Sequence, residues 1–176
     1  GRLDLKNWDS NSGKALKLDG MWRFYPNAFI ASNTATDSME ATDIYVPGRW
    51  NEQLGSDLGY GSYQLQIQLN RNDTKTYAIY LPSIQSASRV YINGELAGSS
   101  GTPAAVKHDY EPYNIPYIVE AKGDENGVID IIVEASNYVI EGQSGIGQAP
   151  QFGEKSVIVK RNEWSIIIQR LVYVVL

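Results

Sequence analysis

The chain has no cysteine and a single histidine, His108, in 176 residues. The first absence excludes disulfide frameworks, thiolate metal sites and cysteine nucleophiles. The second excludes any metal cluster built on several histidines. Charge of one sign is also missing as a block. Fifteen Lys and Arg are scattered among twenty Asp and Glu, for a net charge of −5. No basic stripe of the kind that follows a phosphate backbone is present, so nucleic acid is not expected as a partner. Long apolar runs are lacking too. The most apolar stretch, "WSIIIQRLVYVVL" at 164–176, is broken by Gln169 and Arg170 and is too short and mixed to span a bilayer as it stands. It reads either as a terminal core element or as the approach to a membrane segment, and a start at Gly1 without Met reads as a processed or excised chain.

What is present is the pattern of a soluble globular domain, 43% hydrophobic and 20% charged, long enough for one well-buried core. Tyr63, Leu65, Ile67 and Leu69 alternate with Gln64, Gln66 and Gln68, the period of a half-buried strand. "TYAIYLPSI" predicts another strand, ended by Pro82. "SASRVYINGELAG" at 86–98 predicts a hairpin, because Asn93-Gly94 supplies the positive φ angles of a type I′ turn. "GDENG" at 123–127 is a turn that feeds the strand "VIDIIVEAS", where Ile129, Ile131, Val133 and Ala135 share one face and Glu134 falls on the other. Many short strands between Gly, Asn, Asp and Pro turns predict an all-β jelly-roll sandwich over 1–153. Over 154–176 the spacing changes. Val157, Arg161, Trp164, Ile168, Leu171 and Val175 recur at alternating intervals of four and three, which predicts an amphipathic C-terminal helix.

Catalytic signatures are missing from this frame. Asp and Glu sit mostly in turns or on solvent faces rather than as a facing pair for glycoside hydrolysis. No G-x-S-x-G elbow precedes a helix. "GQSGIGQ" at 142–148 follows a strand without a βαβ unit, so it reads as a loop and not as a phosphate cradle. The chain is therefore expected not to be an enzyme. Recognition remains, and twelve of the nineteen aromatic residues are Tyr. Aromatic faces and a few amide or charged groups are what a shallow carbohydrate pocket needs, although Tyr and Trp in β-proteins more often cover the core edge.

Several segments in order resemble one known pattern: "LDGMWRFYP" at 18–26, "IYVPGRWN" at 44–51, "GYGSYQLQIQL" at 59–69, "YAIYLPSIQSASRVYINGELAGSSG" at 77–101 and "IDIIVEASNY" at 129–138. They resemble the jelly-roll sugar-binding domain of family 2 glycoside hydrolases, a galactose-binding-like fold. They resemble still more closely the related extracytoplasmic sensor domain of bacterial receptors with seven membrane helices and intracellular signalling modules such as histidine kinases, cyclases or phosphatases. The hydrolases usually continue with a G-I-x-R segment, whereas here Gly145-Ile146 is followed by Gln148 where that Arg would stand. The resemblance implies an extracytoplasmic, membrane-attached domain whose partner is a small polar ligand, foremost a carbohydrate. It implies no cofactor, although calcium can occupy a structural site in this fold. Two alternatives stay open: a non-catalytic sugar-binding module of a family 2 hydrolase, and a protein-interaction domain that forms a homodimer through its C-terminal stripe.

The expected ligand-binding residues follow from position. Trp50, in a loop just after Pro47-Gly48, is the candidate stacking platform, and Tyr60 between Gly59 and Gly61 has similar standing. Arg89 either snorkels to solvent or lines a groove. Asn137 and Tyr138 open the loop where the related sandwiches often contact ligand. His108 lies in the long 99–116 loop that would close the same end.

Overall fold

The computed structural model describes residues 1–32 and 39–175, except for the side chains of 169, 170 and 173–175. In chain order the elements are β1 (Arg2–Asp4), β2 (Leu16–Lys17), β3 (Gly20–Pro26), β4 (Thr42–Val46), a single turn α1 (Asn51–Leu54), β5 (Gly59–Gln68), β6 (Tyr77–Leu81), β7 (Ala87–Ile92), β8 (Glu95–Ser100), β9 (Tyr117–Ala121), β10 (Val128–Asn137), β11 (Gln151–Glu154) and α2 (Lys155–Val175). Among the described residues they form two sheets. The larger runs β4-β3-β5-β10-β7-β8, and the smaller runs β2-β11-β6-β9. Pairing is antiparallel except for β1, which lies parallel to the far half of β5, beyond the residues that β3 covers. This is the jelly-roll sandwich that the strand pattern predicts.

The alternating residues fill the space between the sheets. Trp22, Phe24, Tyr63, Ile67, Val90, Ile131 and Val133 from the larger sheet meet Tyr77, Ile79, Leu81, Val119 and Phe152 from the smaller one. The Asn93-Gly94 turn forms as expected, with φ of 49° and 84°. Its Asn93 side chain accepts from the Asp130 N–H at 2.8 Å and donates to the Lys122 carbonyl at 2.9 Å, which pins the turn to its neighbours. This turn lies at the opposite end of the sandwich from the strand ends Gly59 and Asn137.

Strand β6 departs from simple alternation, because all five of its residues are buried. The reason is α2, which packs across the outer face of the smaller sheet and sets Ile158 against Ala78 and Tyr80. The helix forms where the 3.6-residue spacing predicts it, but its core-facing stripe is different. Ile158, Asn162 and the half-buried Ser165 and Ile166 face the sheet, while Trp164 is 73% exposed and Ile168 and Leu171 are exposed beside it. Val175, the last residue of the expected stripe, lies outside the described side chains. Periodicity located the helix and could not choose between its two apolar faces. No helix among the described residues is long and apolar enough to cross a membrane.

Candidate functional site

At the end of the larger sheet where Gly59 pairs with Asn137, the segments 27–32, 51–58, 82–86, 101–116 and 138–145 converge. Five of the six expected residues come to this end, in three different environments, and the sixth lies beneath it.

Trp50 is that sixth residue, and the structure corrects the expectation placed on it. Its ring is fully buried, stacked on Phe24 and Tyr63 at centroid distances of 6.0 and 6.4 Å. The indole N–H donates to the Asp57 carbonyl at 3.0 Å. No ring face is left for a ligand, because the segment after Pro47-Gly48 turns inward and bonds to the 144–146 segment rather than looping out. Asn137 is likewise fully buried. Its amide nitrogen donates to the carbonyls of Asp57, Ile140 and Gln143, and its oxygen accepts from the N–H groups of Val139 and Ile140. Asn137 thus folds the loop that follows it. His108 is almost wholly exposed, with Asp109 as its partner at 3.0 Å.

Tyr60, Tyr138 and Arg89 point to the outer face of the larger sheet, and there the structure brings them together. Phe29 stands edge-on to Tyr60 at 5.0 Å, and the Arg89 guanidinium lies 5.0 Å over the Phe29 ring. Tyr138 stands edge-on to Tyr110 at 5.2 Å and donates to the Ala105 carbonyl at 2.6 Å. Partial burial, and then the neighbouring Tyr60, raise the Tyr138 phenol above its usual pKa. Arg89 neither snorkels freely nor offers an open guanidinium. Its Nε donates to Glu134 at 2.6 Å and its Nη2 to the Ser32 hydroxyl at 3.0 Å.

Sequence reading sets Glu134 on the strand face opposite Ile131 and Val133 and gives it no role, yet its side chain is fully buried. Its carboxylate also accepts from the backbone N–H groups of Ala31 and Ser32, both at 2.9 Å. The 28–32 segment is strapped over the sheet by this carboxylate together with the Ser62 hydroxyl, which accepts from the Ile30 N–H at 3.1 Å and donates to the Ala28 carbonyl at 2.7 Å. Only the strand register, which sets Glu134 opposite Arg89, reveals the pair.

A second hub lies at Asp57, also missed in the sequence. Arg49 binds it through Nε at 3.0 Å and through Nη2. The Ser144 hydroxyl and the Gly142 N–H donate to it at 2.8 and 2.9 Å. The Arg49 bond above all, and then those of Ser144 and Gly142, hold the carboxyl below its usual pKa against the opposing effect of burial. Beside this hub is a hollow of about 310 Å³ lined by Arg49, Ser83, Gln85, Gln143 and Gln148 with the backbone of the 142–147 loop. A larger hollow of about 640 Å³ lies at the hairpin end, where the edge strands β8 and β9 part. It is the open seam of the sandwich, and no residue expected at the site lines it. Among the described residues, no three His, Asp or Glu side chains gather as a metal site would need.

No protein-family model and no curated protein match this sequence. Solved structures do match. A GH2 β-galacturonidase from Eisenbergiella tayi bound to glycerol aligns at 18% identity with a TM-score of 0.58, over 80% of this chain and 24% of that one. A β-glucuronidase from Ruminococcus gnavus in complex with D-glucuronic acid aligns at 16% identity with a TM-score of 0.55, over 79% of this chain and 29% of that one. The chain therefore spans only about a quarter of the length of these enzymes. Identities this low speak to architecture alone: the chain has the galactose-binding-like β-sandwich fold of GH2 glycosidase domains.

Proposed function

We propose that this chain is a non-catalytic recognition domain. It binds a carbohydrate or another small polar ligand at its loop end and serves as the extracytoplasmic input domain of a membrane-bound signalling protein. The observation that carries the recognition reading is the construction of that end. Two hubs, the partly buried Asp57 and the fully buried Asn137, tie together loops that present half-exposed tyrosines and a polar hollow. Rigid loops on a sandwich scaffold are where recognition is usually placed, because preorganisation lowers the ordering cost of binding. In this reading Tyr60 and Tyr138 contact the ligand, His108 stands at the rim, and Arg89 and Asn137 hold the loops in position.

The sensor role rests on the order of motifs along the chain and on α2. That helix follows β11 directly, packs one face on the smaller sheet and leaves Trp164, Ile168 and Leu171 exposed on the other. A ligand shifts such a helix only through unequal affinity for its two positions. A second reading, a sugar-binding module of a GH2 hydrolase, draws on the fold likeness to those enzymes.

The test is a thermal-shift screen against mono- and oligosaccharides, sugar acids and amino acids, with and without calcium. A specific ligand at a hundredfold excess over its Kd stabilises by about 2.7 kcal/mol and raises the Tm dose-dependently. Silence across the whole panel overturns ligand recognition. Amide exchange then tests the coupling. Slower exchange over residues 154–175 on binding is expected, and unchanged exchange there removes the sensor mechanism. The parent gene separates the two readings: hydrophobic helices downstream mean sensor, and a catalytic barrel means hydrolase.

A further inference from the structure

We propose that the hollow between Arg49, Gln85 and Gln148 is a binding site for a neutral, hydroxyl-rich ligand of monosaccharide size. The proposal deepens, and rests on, the reading of the loop end as a recognition site. Its first support is the chemistry of the lining. Three glutamines, two serines, two glycines and one arginine surround the space, and no aliphatic or aromatic side chain does. An apolar ligand would strip water from these groups and return nothing. The volume of about 310 Å³ sits at the small end of ligand clefts, which span roughly 300–1,000 Å³.

The second support is charge. Arg49 is the lone charged residue of the lining, and Asp57 already matches it through both Nε and Nη2. An anionic ligand would have to compete with that carboxylate for the same guanidinium. Among the described residues the Arg49 Nη1 makes no hydrogen bond, which leaves it as a donor for a neutral partner.

The third support is an unspent acceptor. Gln85 Nε2 donates to Gln143 Oε1 at 2.9 Å, while Gln85 Oε1 is buried without a partner. Buried polar atoms are nearly always paired, so an orphan in a polar hollow marks a place where a donor belongs. Hydroxyl groups are both donors and acceptors. Once the Gln85 amide turns toward the hollow, one sugar hydroxyl can give its proton to Oε1 and accept from Arg49 Nη1 or the Gln148 amide, which a pure donor or a pure acceptor cannot do.

Gly147 supplies the decisive variant. A Cβ built there meets no atom within 4 Å, and its φ lies outside the left-handed region. Gly147→Leu therefore adds bulk at the rim that this hollow shares with the neighbouring one beside Pro47 and Gln151, without forcing the fold. Titrations would use D-glucose, D-galactose, D-mannose, myo-inositol and the uronic acids of the three sugars, followed by the glutamine side-chain amide resonances. A neutral probe is expected to shift the Gln85, Gln143 and Gln148 signals and to bind no more weakly than its uronic acid. Gly147→Leu and Gln85→Leu should each weaken it at least tenfold, with the ligand-free Tm of Gly147→Leu unchanged. If a neutral probe binds but Gly147→Leu leaves its Kd alone, or the shifts spare Gln85, Gln143 and Gln148, this location is overturned while ligand recognition stands. A uronic acid that binds tenfold tighter than its neutral sugar overturns the neutral class. If nothing in this set or in the wider thermal-shift panel binds, both readings fall together.

Discussion

Arg89→Met and Glu134→Gln, made singly and together, probe the strap over the larger sheet most sharply. The two oxygens of Glu134 share the Ser32 hydroxyl, at 3.1 and 2.9 Å, and otherwise have different partners. Oε1 accepts from the Ala31 and Ser32 N–H groups, and Oε2 accepts from Arg89. Arg89→Met keeps the chain's bulk over Phe29 but leaves a fully buried carboxylate without its cation. Removing one partner of a buried pair costs about 3–5 kcal/mol. At about 2–4 °C per kcal/mol for a domain of this size, that is a Tm loss of roughly 6–20 °C. Glu134→Gln alone keeps an acceptor for the two backbone donors but turns an NH₂ group against the guanidinium, so it is destabilising too. In the double variant the amide oxygen still serves Ala31 and Ser32, the amide nitrogen no longer faces a cation, and no charge is buried. The double variant should therefore recover about 2 kcal/mol relative to the sum of the singles, within the range seen for directly coupled residues. Urea unfolding of the four proteins measures this. An Arg89→Met cost below about 1 kcal/mol, or strict additivity, would refute the view that Glu134 is held as a buried, cation-paired anion.

Two further outcomes follow from the loop end. Trp50→Ala should cost about 3–5 kcal/mol in urea unfolding, as expected for a fully buried Trp; a near-neutral effect with selective loss of ligand affinity would restore the stacking role that burial denies it. Asp57 titrates below its ordinary value in the folded protein because of Arg49 first, so its contribution is fully present above the ordinary carboxylate range and is lost as pH falls through the depressed value. Asp57→Asn should flatten the acid side of a plot of Tm against pH, and parallel curves for the two proteins would rule this out.

Much of the architecture was legible in local sequence. The Gln-interrupted alternation of β5, the Asn93-Gly94 turn and the apolar "TYAIYL" run are short-range signals, and each became the element it predicts. The candidate end was legible only in outline. Tyr60, Tyr138 and Arg89 do meet there, but Trp50 looked like a loop residue because Pro47-Gly48 announces a break without saying which way the chain turns. The partners of Glu134 and Asp57 lie up to a hundred residues away, beyond any local pattern.

Strand and helix periods, turn chemistry and the order of segments were thus determined by the sequence alone, since backbone sterics and side-chain alternation act over a few residues. The tertiary structure alone decided which apolar stripe of α2 faces the sheet, which carboxylates are buried, and where an amide is left without a partner. Those outcomes depend on register and packing between distant segments, where burial makes an ion pair or an orphan acceptor matter.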